Sequence, residues 1–344
     1  MHKTMYELQH IGDLLIPTVA YGDAAGLPTE TMSHEKIQRV YGRVGKLLLT
    51  STNEFFAGEY APGTWSDDTQ LTIAVASSLT EADGFDINSQ AGAHVAAFYE
   101  TPIVEFKGKL RPRGWGGSTV NSMRRIIDGV SPLEAGEVDG VGNGVLMKLA
   151  PLAYWHHTRE ATDEERYQDY DQLTLMTHNS PVAVACTRVH GDMLQFLLQN
   201  EQASAQEFAT RVIESATRHE NVLGLNPGEL SHLFMYINTN HLLTESDILV
   251  NTDGKGFYAP QTLAMAYGTF SAFLGDFARA VYGAVNLGGD TDSIASIVGT
   301  MELFNSGEVH FPDDYSMIYD SQKLEEISRE FSKRSRQYGE HAHV

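Results

Sequence analysis

Two segments of this 344-residue chain place paired carboxylates beside hydroxyl groups. Trp65-Ser66-Asp67-Asp68-Thr69-Gln70 lies directly before the apolar run Leu71–Val75–Leu79, spaced by four. Asn286-Leu287-Gly288-Gly289-Asp290-Thr291-Asp292-Ser293 lies before a second such run, Ile294 to Leu303. Asp and Ser at a helix start cap free N–H groups and oppose the dipole, so capping alone accounts for either segment by itself. A second cluster, with glycines that let the backbone crowd closely, points further. Hard oxygen donors without Cys or His suit Mg²⁺, Mn²⁺ or Ca²⁺ rather than zinc.

Other segments add to these. In Tyr21-Gly22-Asp23-Ala24-Ala25-Gly26-Leu27-Pro28-Thr29-Glu30, the four-residue spacing of Gly22 and Gly26 reads as close helix packing. Pro28 ends that stretch and leaves Glu30 on a loop, free to reach a site. Gly114-Trp115-Gly116-Gly117-Ser118-Thr119 and Gly140-Val141-Gly142-Asn143-Gly144 are glycine loops before helices. Such loops make turns, and they also present bare N–H groups able to cradle a diphosphate. Neither fits a dinucleotide fingerprint, and Gly45-Lys46 lacks the earlier glycine of a P-loop. Ser33-His34-Glu35-Lys36 reads as helix surface, and His156-His157 as an exposed pair without zinc-enzyme spacing. His178 sits just before a helix, as a structural residue or a ligand contact.

The elements that must position these groups are helical. Apolar residues recur at helical spacing through Val182–Leu197, Phe208–Val212 and Leu233–Ile237, and Leu263–Phe273 is apolar on nearly all sides, as a central helix would be. Alternating runs bounded by turn residues are scarce, and no 20- to 50-residue repeat or Pro/Ser-rich linker divides the chain. The stretch Thr158–Asp171 reads as a solvated loop or insertion. One all-α domain over residues 1–344 is expected, with its motifs within about 10–310 and a charged C-terminal helix at about 321–338.

Composition bounds the function. Lys and Arg number 24 against 45 Asp and Glu, a formal net charge of −21, which disfavours nucleic acid as a partner. The longest apolar stretch, Leu263 to Val285, is broken by Asp276 and Arg279, so no membrane span is expected. The single cysteine, Cys186, lies in an apolar run and reads as a buried, inert thiol. With no leader pattern at the start, a cytoplasmic location is expected.

Taken in order, the five motifs resemble the ADP-ribosylglycohydrolase family from about Tyr21 to about Phe304. The marks are Gly22-Asp23-Ala24-Ala25-Gly26 with Glu30, Ser66-Asp67-Asp68-Thr69, Gly116-Gly117-Ser118, Gly142-Asn143-Gly144 with Met147 and Pro151, and Gly288-Gly289-Asp290-Thr291-Asp292-Ser293. The resemblance implies a compact all-α fold with a central dinuclear site. It implies two Mg²⁺, or Mn²⁺ in substitution, held by Ser66, Asp67, Asp68, Asp290, Asp292 and Ser293. Glu30 would ligate or gate that site, and Glu30, Asp67 and Asp68 are the candidates for catalytic work. Gly116, Gly117, Ser118, Gly142, Asn143, Gly144, Met147 and His178 would hold ADP-ribose, together with Glu30. Three positions depart from the family's pattern: Ser66 and Ser293 stand where threonine is usual, and Lys148 where arginine is frequent. The hydroxyl donors survive, whereas planar bidentate contact from position 148 does not.

The expected reaction is metal-dependent hydrolysis of the glycosidic bond between ADP-ribose and an acceptor. The substrate would be an ADP-ribosylated protein, arginine being one acceptor, or an ADP-ribosyl small molecule. A non-catalytic ADP-ribose-binding protein of the same fold and a metal-dependent phosphohydrolase are the alternatives.

Overall fold

The computed structural model describes residues 3–49, 51–53, 59–106 and 108–337; residue 338, in the expected C-terminal helix, lies outside them. The first half contains α1 (Met5–Gly26), α2 (His34–Tyr41), α3 (Asp67–Ala82), α4 (Ile87–Glu100), α5 (Gly117–Ile127), α6 (Ala150–Thr158) and α7 (Asp163–Leu175). The second contains α8 (Pro181–Gln199), α9 (Ala205–Leu223), α10 (Ser231–Phe234), α11 (Glu245–Asn251), α12 (Ala259–Phe273), α13 (Phe277–Leu287), α14 (Thr291–Ser306) and α15 (Ser321–Arg336). Thr4, Thr162, Ser204 and Thr244 start their helices with capping boxes, each closed by an acid three residues on. Two N–H groups that would otherwise lack partners are satisfied in each.

Helix α14 runs through the centre, and every residue from Thr291 to Asn305 is buried. It packs against α1, α12 and α13. Only Gln261 and Phe273 of α12 escape full burial, as its all-round apolar sequence requires. The contact of α1 with α14 depends on small residues. A Cβ on Gly22 would lie 2.6 Å from Ala295 O and Ser296 Cα, and one on Gly26 would overlap the backbone of Thr291 and Asp292. The expected close packing is therefore present, and it seats the acidic first turn of α14 against α1. Gly22→Val would drive the two backbones apart. We expect a loss of at least about 2 kcal/mol in denaturant unfolding; an unchanged midpoint would contradict this contact.

Strands are few and short. Among the described residues they form a hairpin, Ile103–Phe106 with Lys109–Pro112, and two two-residue pairings. One of these, Glu137–Val138 with His178–Asn179, is parallel and ties the start of α8 to the second glycine loop.

Three expectations need correction. Residues 158–171 do not form a solvated loop: from Asp163 they belong to α7, whose Tyr170, Leu173 and Thr174 are buried. The capping box at Thr162 and Glu165 starts that helix, and three sparse inward residues hold a largely charged cylinder. His156 is buried, its Nε2 3.2 Å from Asp169 Oδ2, because α6 turns that face toward α7. The acidic segments do not precede their helices but form their first turns, beginning at Asp67 and Thr291. Cys186 is fully buried, and burial pushes its thiol well above the ordinary range. No helix among the described residues is long and apolar enough to cross a membrane.

Candidate active site

The site begins where α3 starts. Ser66 is the N-cap, its Oγ accepting from Asp68 N at 3.3 Å and donating to Asp68 Oδ2 at 3.2 Å. Beneath it lies Asp23 of α1. Both Asp23 oxygens accept from Ser66 N at 2.9 Å, and Oδ2 also accepts from Thr69 N at 3.0 Å and Thr69 Oγ1 at 2.6 Å. Asp23 therefore clamps the first turn of α3 onto α1, an arrangement that reading the sequence as a Gly-x₃-Gly packing motif overlooked. The only signal was an aspartate inside an otherwise small, apolar helix segment.

The second acidic turn is held by backbone geometry. Gly288 and Gly289 have φ of +82° and +81°, in the left-handed region that side chains avoid. Gly289 N donates to Met32 O at 2.7 Å and Asp290 N to Lys255 O at 2.7 Å, while Thr31 N donates to Gly289 O at 2.8 Å. Thr291 Oγ1 donates to Gly26 O at 2.8 Å and fixes the turn to α1. Asp290, although at the N-cap position, makes no capping bond; its Oδ2 instead accepts from Asn143 Nδ2 at 2.7 Å. Capping alone does not account for it.

Glu30 follows the 3₁₀ turn Leu27–Thr29 rather than a free loop, and it is buried. Its Oε2 accepts from Asn53 Nδ2 at 2.8 Å. Glu30, Asp290 and Asp292 each offer an oxygen within 4.8 Å of the other two. Asp68 Oδ1 accepts from Ser296 Oγ at 3.3 Å, which brings the α3 carboxylates to the same helix, α14.

These groups line one cleft of about 200 Å³. Of the sequence-expected residues it brings together Glu30, Asp67, Asp68, Asp290, Asp292 and Ser293 with Gly116, Gly117, Ser118, Gly142, Asn143, Gly144, Met147 and His178. Ser66 does not line it and faces the neighbouring groove, next to Asp67. Gly114, Thr119 and Phe257 line the cleft as well, and sequence reasoning had not singled them out as site residues. Phe257 lies in a short loop before α12 with no motif around it; the antiparallel bridge between Gly142 and Tyr258 brings it to the glycine loop.

Gly116 is the N-cap of α5 with no side-chain capping bond, and Cβ atoms on Gly116 and Gly117 would meet nothing within 4 Å. The Gly116 backbone hydrogen-bonds to Asp67, and the start of this 11-residue helix faces the cleft without a side-chain cap. The second loop wraps His178: a Cβ on Gly142 would sit 3.1 Å from His178 Nε2, and one on Gly144 3.3 Å from its Cε1. His178 Nδ1 lies 2.8 Å from Thr177 Oγ1, and burial, followed by the charge on Lys148, pushes the imidazole down to about 3. It is neutral across the physiological range.

The cleft is crowded with negative charge. Burial, then neighbouring carboxylates, pushes Glu30, Asp68, Asp290 and Asp292 well above the ordinary carboxylate range. Asp67 rises to about 7 by burial and the nearby Asp23, and Asp23 to about 6 by burial, opposed by its four hydrogen bonds. One buried cation stands near: Lys148, which burial lowers to about 7 against the pull of Asp67. Its Nζ has no hydrogen-bond partner among the described residues. Five carboxylates line the cleft, and the partly buried Arg111, near Asp67 and Glu30, adds a second positive charge to that of Lys148. The acids still outnumber the cations, and their hard oxygens suit added divalent ions.

The all-α scaffold thus carries one acidic, glycine-lined cleft at its centre. The ADP-ribosylglycohydrolase family profile matches residues 18–338, and the chain belongs to that family. It is similar to an uncharacterized protein of Archaeoglobus fulgidus, 28% identical over 295 residues, 83% of this chain and 84% of the other. It is also similar to the ADP-ribosylarginine hydrolase Tri1 of Serratia proteamaculans, 24% identical over 82% of this chain and 67% of that protein. The ADP-ribosylhydrolase ARH3 of Danio rerio is 23% identical over 69% of this chain and 68% of its own. Among solved structures, an ADP-ribosylglycohydrolase-related protein complex aligns with a TM-score of 0.64 at 22% identity, over 96% of this chain and 99% of that one.

Proposed function

We propose that the protein hydrolyses the glycosidic bond joining ADP-ribose to an acceptor, with arginine on a modified protein as the acceptor. The observation that carries this reading is the meeting, in one cleft, of two acidic first turns with two glycine loops. The similarity to Tri1, named an ADP-ribosylarginine hydrolase, supports the choice of acceptor.

The donor set suits two Mg²⁺, with Mn²⁺ able to substitute, held by Asp67, Asp68, Asp290, Asp292 and Ser293, while Ser66, outside the cleft, holds Asp68 in place. Buried oxygens that repel one another, with no Cys or His among them, fit hard divalent cations. When bound, such ions supply Lewis-acid stabilisation for the ribose hydroxyls and the attacking water. The amides of Gly117 and Ser118 and the Gly142–Gly144 loop bind the diphosphate, and the half-exposed ring of Phe257 offers the adenine a stacking face. His178, neutral and walled by glycines, shapes the ribose pocket. In the reaction the water oxygen bonds to the anomeric carbon, and the carbon–nitrogen electron pair leaves with the guanidine. One water proton is given up and one proton reaches the departing nitrogen. Glu30, Asp67 and Asp68 are the side chains placed to hold those protons, and Glu30, buried and raised, is suited to donating. The buried, unreactive Cys186 agrees with a reducing, cytoplasmic setting.

Incubation with ADP-ribosylated arginine and serine peptides, with and without Mg²⁺, tests the proposal. The expected result is Mg²⁺-dependent release of free ADP-ribose from the arginine peptide. Inorganic phosphate or AMP as product would instead mean phosphohydrolysis, and ADP-ribose binding with no product would mean a binding protein.

A further inference from the structure

We infer that the groove on the far side of Asp67 is the acceptor subsite and that it is built for a guanidinium group on a peptide; this rests on the hydrolase reading above. Asp67 lines both the ADP-ribose cleft and a second groove of about 500 Å³. Glycosidic hydrolysis needs two sites that meet at one bond, one for the sugar and one for the departing group. The shared carboxylate marks where these two cavities meet.

The chemistry of the groove matches a planar cation. Trp65 and Tyr319 line it with ring centroids 6.1 Å apart and planes at 54°. Trp65 Nε1 donates to Tyr319 O at 3.0 Å, which pins the indole, while Tyr319 is 57% exposed. A fixed, accessible aromatic pair is a stacking platform for guanidinium. Glu100, also lining the groove, is the exposed last residue of α4, where the negative end of the helix dipole adds to its carboxylate. A Glu100 carboxylate can accept two parallel guanidinium N–H bonds. Gln70, by contrast, is already engaged: its Oε1 accepts from Thr101 Oγ1 and Trp115 Nε1, each at 3.0 Å. Arg113 lines the same groove and would favour an acceptor carboxylate, but two carboxylates, a helix C-terminus and two aromatic faces outweigh it.

The test measures steady-state release of ADP-ribose by the full chain with Mg²⁺ from arginine-, serine- and glutamate-linked ADP-ribosyl peptides, together with inhibition by free ADP-ribose. For Glu100→Lys and Tyr319→Ala we expect KM for the arginine peptide to rise about tenfold or more, with inhibition by ADP-ribose unchanged. An unchanged KM in both variants would overturn the acceptor groove and leave the hydrolase reading standing. Cleavage of serine or glutamate linkages but not arginine would overturn the guanidinium assignment alone. No release from any peptide would remove the hydrolase reading and this inference with it.

Discussion

If the protein hydrolyses ADP-ribosyl linkages as proposed, Asp67→Asn is expected to reduce ADP-ribose release by on the order of 10³-fold and to leave the helical fold intact. Asp67 lines the cleft in the first turn of α3, directly after the Ser66 cap. The turn itself is held by Asp23 and Ser66, neither of which the substitution touches. Burial and the Asp23 charge push Asp67 up to about 7, so its carboxylate is costly to the metal-free fold. The amide removes that repulsion, and the metal-free variant should melt above wild type. Function and stability then move in opposite directions, as expected at a site whose charges serve ligand binding rather than folding. Circular dichroism melting and the release assay check both halves. Full activity in the variant would defeat the metal-site proposal, and a melting point lowered by several degrees would mean the carboxylate is structural.

The second large effect is a coupling of pH, metal and stability. The folded values of Asp23, about 6, and Asp67, about 7, and the still higher placement of Glu30, Asp68, Asp290 and Asp292, all exceed what these groups have in an unfolded chain. A carboxyl raised on folding keeps its proton in the native state after the unfolded state has lost it. Its stabilising contribution is therefore full below about pH 4 and falls as pH rises through the folded value. Metal-free protein should lose thermal stability steadily from about pH 5 to about pH 8. Groups of the opposite kind offset only part of this loss. His94, His178 and His190, held low by burial, gain stability as pH rises toward their ordinary value, and Lys148 does so from about 7. The raised carboxyls, joined by Glu302 at about 8, outnumber them. Asp192, despite its burial, is held low by His219 and Ser215, and Glu220, against its own desolvation, by the amides of Gly228, Leu230 and Ser231; both act below the ordinary carboxylate range. Adding Mg²⁺ should reverse the trend, because cations bind the ionised set. At a hundredfold excess over Kd the gain is about 2.7 kcal/mol, largest at high pH, where no proton competes. A metal-free melting temperature that is flat or rising over this range, or no response to Mg²⁺ at high pH, would contradict the cluster's proposed role.

What the chain encodes locally was readable residue by residue. Ser66 before two aspartates announces a helix start, and Gly288-Gly289 announces a backbone that only glycine adopts, because caps and positive φ are settled within a few residues. Gly22 and Gly26 signalled the close approach of a second helix, and the all-round apolar sequence of α12 signalled its burial. Helix α7 leaves little periodicity in the sequence because only three of its residues turn inward, and its capping box is the one local sign of it.

Other properties arise only when distant segments meet. Asn143 reaches Asp290 across 147 positions, and Asp23 grips the start of α3 across 43 and 46. Asp290 escapes its expected capping role because Asn143 engages its carboxylate, and Phe257 enters the site only through the bridge at Gly142. Charge behaviour is the clearest case. An aspartate's type is written in the sequence, but its ionisation depends on burial and on which other charges share the space. Local composition determined the helix starts, the glycine turns and the stock of oxygen donors. The tertiary structure alone decided that five carboxylates line one cleft, with Asp23 beneath them and Lys148 buried nearby, because solvent exclusion and like-charge proximity are properties of packed helices rather than of any one segment.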